Sequence, residues 1–215
     1  MKKIIGATLL GAALLAGAAN AAVVGVSGQM QILATPTSVT DDSPFDNKVM
    51  GVFNEVQNLV LTSALVLRDA SGGPDEIIAA GTRISSHMIF LNHTIRGPAT
   101  VRSGLAAFDG LVLGLITTTA RLNATDALLG AIGTTYQPGF LGFGKRGLEG
   151  NEGSFVLSSG GTALSLTLRA SQPGDWIRVV TVAAVPAVPA PAAGFLLVGA
   201  LGGLAALRRR RVVVA

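Results

Sequence analysis

The chain has 215 residues, 49% of them hydrophobic and only 13% charged, and it has no cysteine. That composition excludes a disordered polyelectrolyte and a disulfide-stapled miniature fold. A formal charge of +4 invites a nucleic-acid reading, but Lys2, Lys3 and Arg208 to Arg211 place six of the sixteen basic residues at the two ends, which leaves ten between them against all twelve acidic residues. The middle is slightly acidic, so nucleic acid is not an expected partner.

Residues 1–21 read as a secretory signal peptide. Met1-Lys2-Lys3 is a short positive region, Ile4 to Gly17 is apolar, and Ala18-Ala19-Asn20-Ala21 follows. Small residues at Ala19 and Ala21 form the A-x-A pattern that signal peptidase accepts, so cleavage is expected between Ala21 and Ala22. The alternative is an uncleaved anchor. A run of about 14 apolar residues is short for it, since roughly 20 are needed to cross a bilayer.

Residues 22–185 read as one exported domain, long enough for a single core and short for two. Periodicity predicts mostly strand. Val56 to Leu67 is a first strand. From Thr82 to Leu91, Thr82, Ile84, Ser86, Met88 and Phe90 share one face, and Arg83, Ser85, His87, Ile89 and Leu91 share the other. Ala99 to Phe108 and Leu111 to Thr119 follow, joined through a predicted hairpin at Asp109-Gly110. A short helical turn is expected at Asp126-Ala127-Leu128-Leu129, capped by Asn123 or Thr125. Ser154 to Leu157 and Ala163 to Leu168 should pair across Ser158-Ser159-Gly160-Gly161, with Leu164, Leu166 and Leu168 on one face. Trp176 to Val182 is the last strand, entered through a turn at Gln172-Pro173-Gly174-Asp175. Many short strands with Gly-, Pro- and Asp-rich turns predict a mainly β fold, an antiparallel β-sandwich of jelly-roll type with a short helix.

Residues 186–191 form a Pro-rich tether in which Pro186, Pro189 and Pro191 favour extended chain. Residues 192–207 are sixteen uncharged residues. As a helix they would measure roughly 24 Å against a hydrocarbon core of roughly 30 Å. Snorkelling arginines and the flanking apolar residues allow a span. Residues 208–215 begin with Arg208, Arg209, Arg210 and Arg211, which place the tail in the cytoplasm and the domain outside by the positive-inside rule.

Val188-Pro189-Ala190-Pro191-Ala192, the Gly/Leu-rich helix and the arginine cluster resemble the PEP-CTERM class of C-terminal sorting signals of Gram-negative bacteria, in the VPLPA-CTERM form. Ala190 stands where that form has Leu, and Val212 to Ala215 extend past the arginines. The resemblance implies an exosortase, a membrane transpeptidase that cuts near the proline motif, a transient stay in the inner membrane, and release or attachment at the surface with an association to exopolysaccharide and biofilm. A plain single-pass anchor is the alternative. The middle region also resembles a passenger domain of exosortase-sorted proteins, through Phe53-Asn54-Glu55, Gly81 with Ser86-His87, Phe108-Asp109 with Leu113-Gly114, Gly133-Thr134-Thr135-Tyr136, Gly147-Leu148-Glu149, and Asp175 with Arg178-Val179-Val180-Thr181. That second resemblance implies a fold and a location, with no activity attached.

The chemical motifs have bland readings. Gly139 to Arg146 falls one residue short of a P-loop and has Arg146 where Ser or Thr would hold magnesium, and Gly142 to Gly147 matches G-x-G-x-x-G without a strand before it or a helix after it. Both read as a Gly-rich loop. His87 and His93 are the only histidines. No third ligand stands at metal-binding spacing, and Ser85 and Ser86 lack a nucleophile elbow. Asp41, Asp42 and Asp46, Asp69 with Asp75 and Glu76, and Glu149 with Glu152 read as solvated turns without an EF-hand pattern. No cofactor is implied. The favoured function is a non-enzymatic surface or matrix protein. The alternatives are a glycan-binding module, possible with calcium, and a periplasmic hydrolase. Trp176 discriminates: buried it favours the first, exposed over a groove the glycan binder.

Overall fold

A computed structural model of the chain describes residues 22–39, 49–67, 75–92, 98–136, 146–148, 150, 152–170 and 174–183. The expected signal peptide, tether, apolar helix 192–207 and arginine tail lie outside these residues, as do Asp41, Asp42, Asp46, Asp69, His93, Glu149 and the 139–145 loop.

The strands run β1 (Val23–Gly28), β2 (Met30–Ile32), β3 (Ser38–Val39), β4 (Met50–Asn54), β5 (Leu59–Val60), β6 (Leu65–Leu67), β7 (Glu76–Ile78), β8 (Arg83–Asn92), β9 (Thr100–Phe108) and β10 (Val112–Ile116). After helix α1 (Thr119–Leu129) come β11 (Thr135–Tyr136), β12 (Gly153–Leu157), β13 (Ala163–Ala170) and β14 (Gly174–Val182). The fold is mainly β, with α1 the one helix among the described residues.

Two antiparallel-dominated sheets carry the architecture. One has the order β1-β9-β13-β12; the other has β10-β14-β8-β4-β2, with β5 also on β8. Leu164, Leu166 and Leu168 from the first sheet and Val52, Ile89, Leu91, Ile177 and Val179 from the second share one buried cluster, so the sheets face each other in a sandwich. A second cluster covers the far face of the six-stranded sheet. There Ile84, Met88, Phe90, Trp176 and Val180 pack against Leu122 and Leu129 of α1 and Leu65, Leu67 and Ile78 of the small β6–β7 hairpin. Strand alternation thus sends Ile84, Met88 and Phe90 one way and Ile89 and Leu91 the other, as the sequence pattern predicts. A strand covered on both faces reads as a nearly continuous buried run, which is the pattern of β8.

The expected pairing of β12 with β13 forms, with Leu157 opposite Leu164. Three expectations change. Residues 56–67 do not make one strand: Asn58 takes a left-handed conformation at φ 58°, and beyond it only β5 and β6 are strand, the first paired with β8 and the second with β7. Asp109-Gly110 is not a hairpin, because β9 and β10 belong to different sheets. Gly110 lets the chain pass against the Val182 carbonyl, which a Cβ would strike, and β10 pairs with β14 instead. The helix is longer than one turn and begins before Asn123, with Thr118 as its N-cap. Leu122, Thr125 and Leu129 form its buried face, a spacing of three and four that matches one helical side.

Candidate functional site

The densest polar cluster lies under α1, on the far face of the six-stranded sheet. It starts from Arg178, a charged residue inside the apolar strand Gly174–Val182 and wholly buried. Its Nε donates to Glu55 Oε2 at 2.7 Å and its Nη2 to Glu55 Oε1 at 2.8 Å, a bidentate fork that fixes both partners. Nη2 also donates to Asp126 Oδ1 at 3.0 Å, and Nη1 to Thr125 Oγ1 at 2.6 Å. The Ser86 hydroxyl donates to Glu55 Oε2 at 2.6 Å. Arg146 Nη2 reaches the same Asp126 oxygen at 2.6 Å. Two cations and two anions therefore neutralise one another inside the protein, which is the condition under which buried charge is tolerated.

Tyr136 closes the cluster. The guanidinium carbons of Arg146 and Arg178 stand 5.8 and 5.7 Å from its ring centroid, within cation–π range. Its hydroxyl accepts the Ala131 N–H at 2.8 Å. Burial, reinforced by the neighbouring Glu55 charge, raises the phenol above its ordinary range. Burial alone would lower Arg178, but the Glu55 carboxylate outweighs it and the guanidinium is held more firmly protonated than in water.

The 146–148 segment is clamped by backbone. Thr119 Oγ1 accepts the N–H groups of Arg146 at 2.9 Å and Gly147 at 3.0 Å. Leu148 N–H donates to the Thr117 carbonyl, and Trp176 N–H to the Arg146 carbonyl. A Cβ on Gly147 would collide with backbone atoms of Thr117, Thr118 and Thr119. Glycine is therefore required there by space.

A second network lies on the opposite face of the same strands. His87 is wholly buried, with Nδ1 2.9 Å from Asn54 Oδ1 and Nε2 3.1 Å from Thr181 Oγ1. Asn54 Oδ1 also accepts the Val23 N–H at 3.0 Å. An amide N–H can only donate, so that Asn54 atom is the oxygen, His87 Nδ1 carries the proton and Nε2 accepts the Thr181 hydroxyl. The ring leans on Phe108 at 4.8 Å. Burial lowers its pKa from 6.5 to about 3, so the imidazole is neutral. Both nitrogens are engaged, which leaves no free lone pair for a metal or a substrate proton.

The outer face of the four-stranded sheet carries a shallow depression of about 180 Å³ lined by Ser103, Ser154, Ser165, Thr167, Val156, Gly104 and Leu166. Ser103 and Thr167 hydroxyls bond across it at 2.8 Å. Trp176, 3% exposed, belongs to the core and offers no face to this surface.

The structure brings together Glu55, Ser86, Tyr136 and Arg178 in one network, and Asn54, His87, Phe108 and Thr181 in the other. Asp75 and Glu76 do not converge with other acids into a metal cage, and among the described residues no group of three or more His, Asp or Glu could hold a metal ion. The sequence places Asp126 in a short helical turn and Arg146 in a Gly-rich loop, and gives no sign of their meeting with Arg178. The signal available was Arg178 itself, a lone cation among Trp176, Ile177, Val179 and Val180, which demands a buried anion. Chemically the cluster cross-links β4, β8, β14, α1 and the 146–148 segment, and Asp126, 22% exposed, and the half-buried Tyr136 reach its rim. Among the described residues no helix is long and apolar enough to cross a membrane. No protein-family model, curated protein or solved structure matches the chain.

Proposed function

We propose that the chain is an exported, exosortase-sorted surface or extracellular-matrix protein of a Gram-negative bacterium, non-enzymatic and associated with exopolysaccharide or biofilm. The observation that carries this reading is the order of signals at the C-terminus: Val188-Pro189-Ala190-Pro191-Ala192, an uncharged stretch, and Arg208 to Arg211. In it the signal peptide is removed, the tail holds the domain in the inner membrane facing the periplasm, and cutting near the proline motif sends it to the surface.

Three features of the fold support the reading. Ala22 N–H donates to Asp109 Oδ1 at 2.7 Å, so a chain cut after Ala21 would set its new ammonium on a waiting carboxylate. His87 and Arg178, the groups best suited to acid–base or anion chemistry, are consumed by internal partners. Burial of Trp176 removes the one tryptophan from any sugar-stacking platform, which weighs against the glycan binder. With this reading goes the finer fold assignment, an antiparallel β-sandwich of jelly-roll type, supported by a four-stranded sheet facing a six-stranded one.

The test is Pro189→Ala with Pro191→Ala in the native host. A permanent anchor has no need of an extended, accessible Pro-x-Pro element outside the membrane, whereas a processing enzyme does. The double variant should accumulate as an uncut, membrane-bound form. Equal mass and equal membrane fraction for variant and wild type would replace sorting with the simple anchor.

A further inference from the structure

An open sheet exposes two rows of unpaired backbone groups, and monomeric proteins block them with bulges, side chains, short strands or charge. Three of the four edges here are blocked. β1 has a register shift between Val23 and Gly25, and Asn54 takes the Val23 amide. β10 shifts between Val112 and Gly114, where Leu67 and Glu76 crowd the strand. β2 is only 3 residues long. The fourth edge, β12, has none of these devices. Gly153-Ser154-Phe155-Val156-Leu157 pairs with β13 in unbroken register and carries no charge and no proline.

The ladder shows which groups point outward. Arg169 N–H donates to the Glu152 carbonyl and Ser158 N–H to the Ala163 carbonyl. In an antiparallel pair the bonded positions alternate, so Glu152, Ser154, Val156 and Ser158 bond inward to β13. Gly153, Phe155 and Leu157 therefore turn their N–H and C=O groups outward. β12 ends the strand order of its sheet, and no other described strand lies on that side. Val156 is 67% exposed and Leu157 46% exposed.

We propose that β12 pairs antiparallel with β12 of a second copy of this chain, joining two four-stranded sheets into one continuous sheet. The strand is self-complementary about Phe155. A twofold axis there sets Phe155 opposite its counterpart and Gly153 opposite Leu157, and about six outward hydrogen bonds close between the copies. On the outer face Ser154 falls opposite Val156, and no like charges meet within the paired strands. A five-residue edge buries less than the roughly 1,000 Å² of a stable interface, so the contact is weak in dilute solution and gains from crowding or tethering. It stands on the strand geometry and not on the sorting proposal.

The chain has no cysteine, which makes single-cysteine cross-linking clean. Ser154→Cys and Val156→Cys variants of the full chain, in detergent micelles, are oxidised separately and mixed. Opposed non-bonded positions lie about 4.5 Å apart at Cα, within disulfide reach, whereas like positions sit diagonally at about 7–8 Å. The mixture should give about tenfold more disulfide-linked dimer than either variant alone, and Leu157→Lys in both partners should lower it about tenfold by charging the edge. A readout without variants is hydrogen exchange on the wild-type chain, where the Phe155 and Leu157 amides should gain protection as concentration rises. Cross-linking no greater in the mixture, indifference to Leu157→Lys, or exchange independent of concentration would each overturn the pairing.

Discussion

His87 gives the fold a defined response to acid. Unfolded, its imidazole titrates near 6.5; buried between Asn54, Thr181 and Phe108, it titrates near about 3. The folded value is depressed, so the unfolded chain takes up the proton first. The stabilisation is fully present above the unfolded value and is lost as pH falls towards the folded one, at up to about 1.4 kcal/mol per pH unit. Between about pH 7.5 and about pH 5.5 the loss is about 1.4 kcal/mol, and by about pH 4.5 it reaches about 2.7 kcal/mol. Urea unfolding followed by fluorescence of Trp176, the one tryptophan, measures it directly. His87→Gln removes the titration while keeping a polar side chain, so between about pH 5.5 and about pH 4.5 its stability should fall less steeply by about one proton, whatever its absolute stability. His93 is present in both proteins and cancels in the difference. An equal pH slope for the two would refute the burial argument.

Glu55→Gln should cost about 3–5 kcal/mol in urea unfolding, because it leaves the buried Arg178 and Arg146 guanidiniums to share the single Asp126 carboxylate, while Glu55→Leu with Arg178→Met should recover most of that loss. Gly147→Ala should lower the thermal midpoint by several degrees, about 2 kcal/mol or more, because the added methyl meets backbone of Thr117 to Thr119 rather than a movable side chain.

The strands were legible where alternation was strong. Leu164, Leu166 and Leu168 announce a face, and Ser158 to Gly161 announce the turn that returns the chain to it. Asp109-Gly110 misled for a physical reason: a two-residue turn signal fixes a reversal of direction but not the partner of the next strand, and β10 found β14 in the other sheet. Val56 to Leu67 misled because hydrophobicity encodes neither the left-handed backbone of Asn58 nor the change of partner from β8 for β5 to β7 for β6. The helix start was obscured by a run of three threonines, Thr117 to Thr119, which reads as strand by propensity. It is Thr119 that turns its hydroxyl to the Arg146 and Gly147 amides.

The two networks follow from a period of two. In Asn54-Glu55 and in Ser86-His87 the polar residues are adjacent, so each pair sends one side chain to either face; Arg178 and Thr181, an odd number apart, do the same on β14. Glu55, Ser86 and Arg178 meet under α1. Asn54, His87 and Thr181 meet on the sandwich side. The register sets this up, because β8 places His87 beside Asn54 on one flank and beside Val179 on the other, one position from Arg178. A slip of one residue of β8, with β4, against β14 would therefore exchange the faces, leaving Arg178 opposite an imidazole and Glu55 without its guanidinium. Each network alone penalises that slip, and because they share the same three strands both penalties fall together. The six polar residues act as a register lock for the centre of a sheet whose apolar side chains, similar in size on both faces, discriminate the two registers far less.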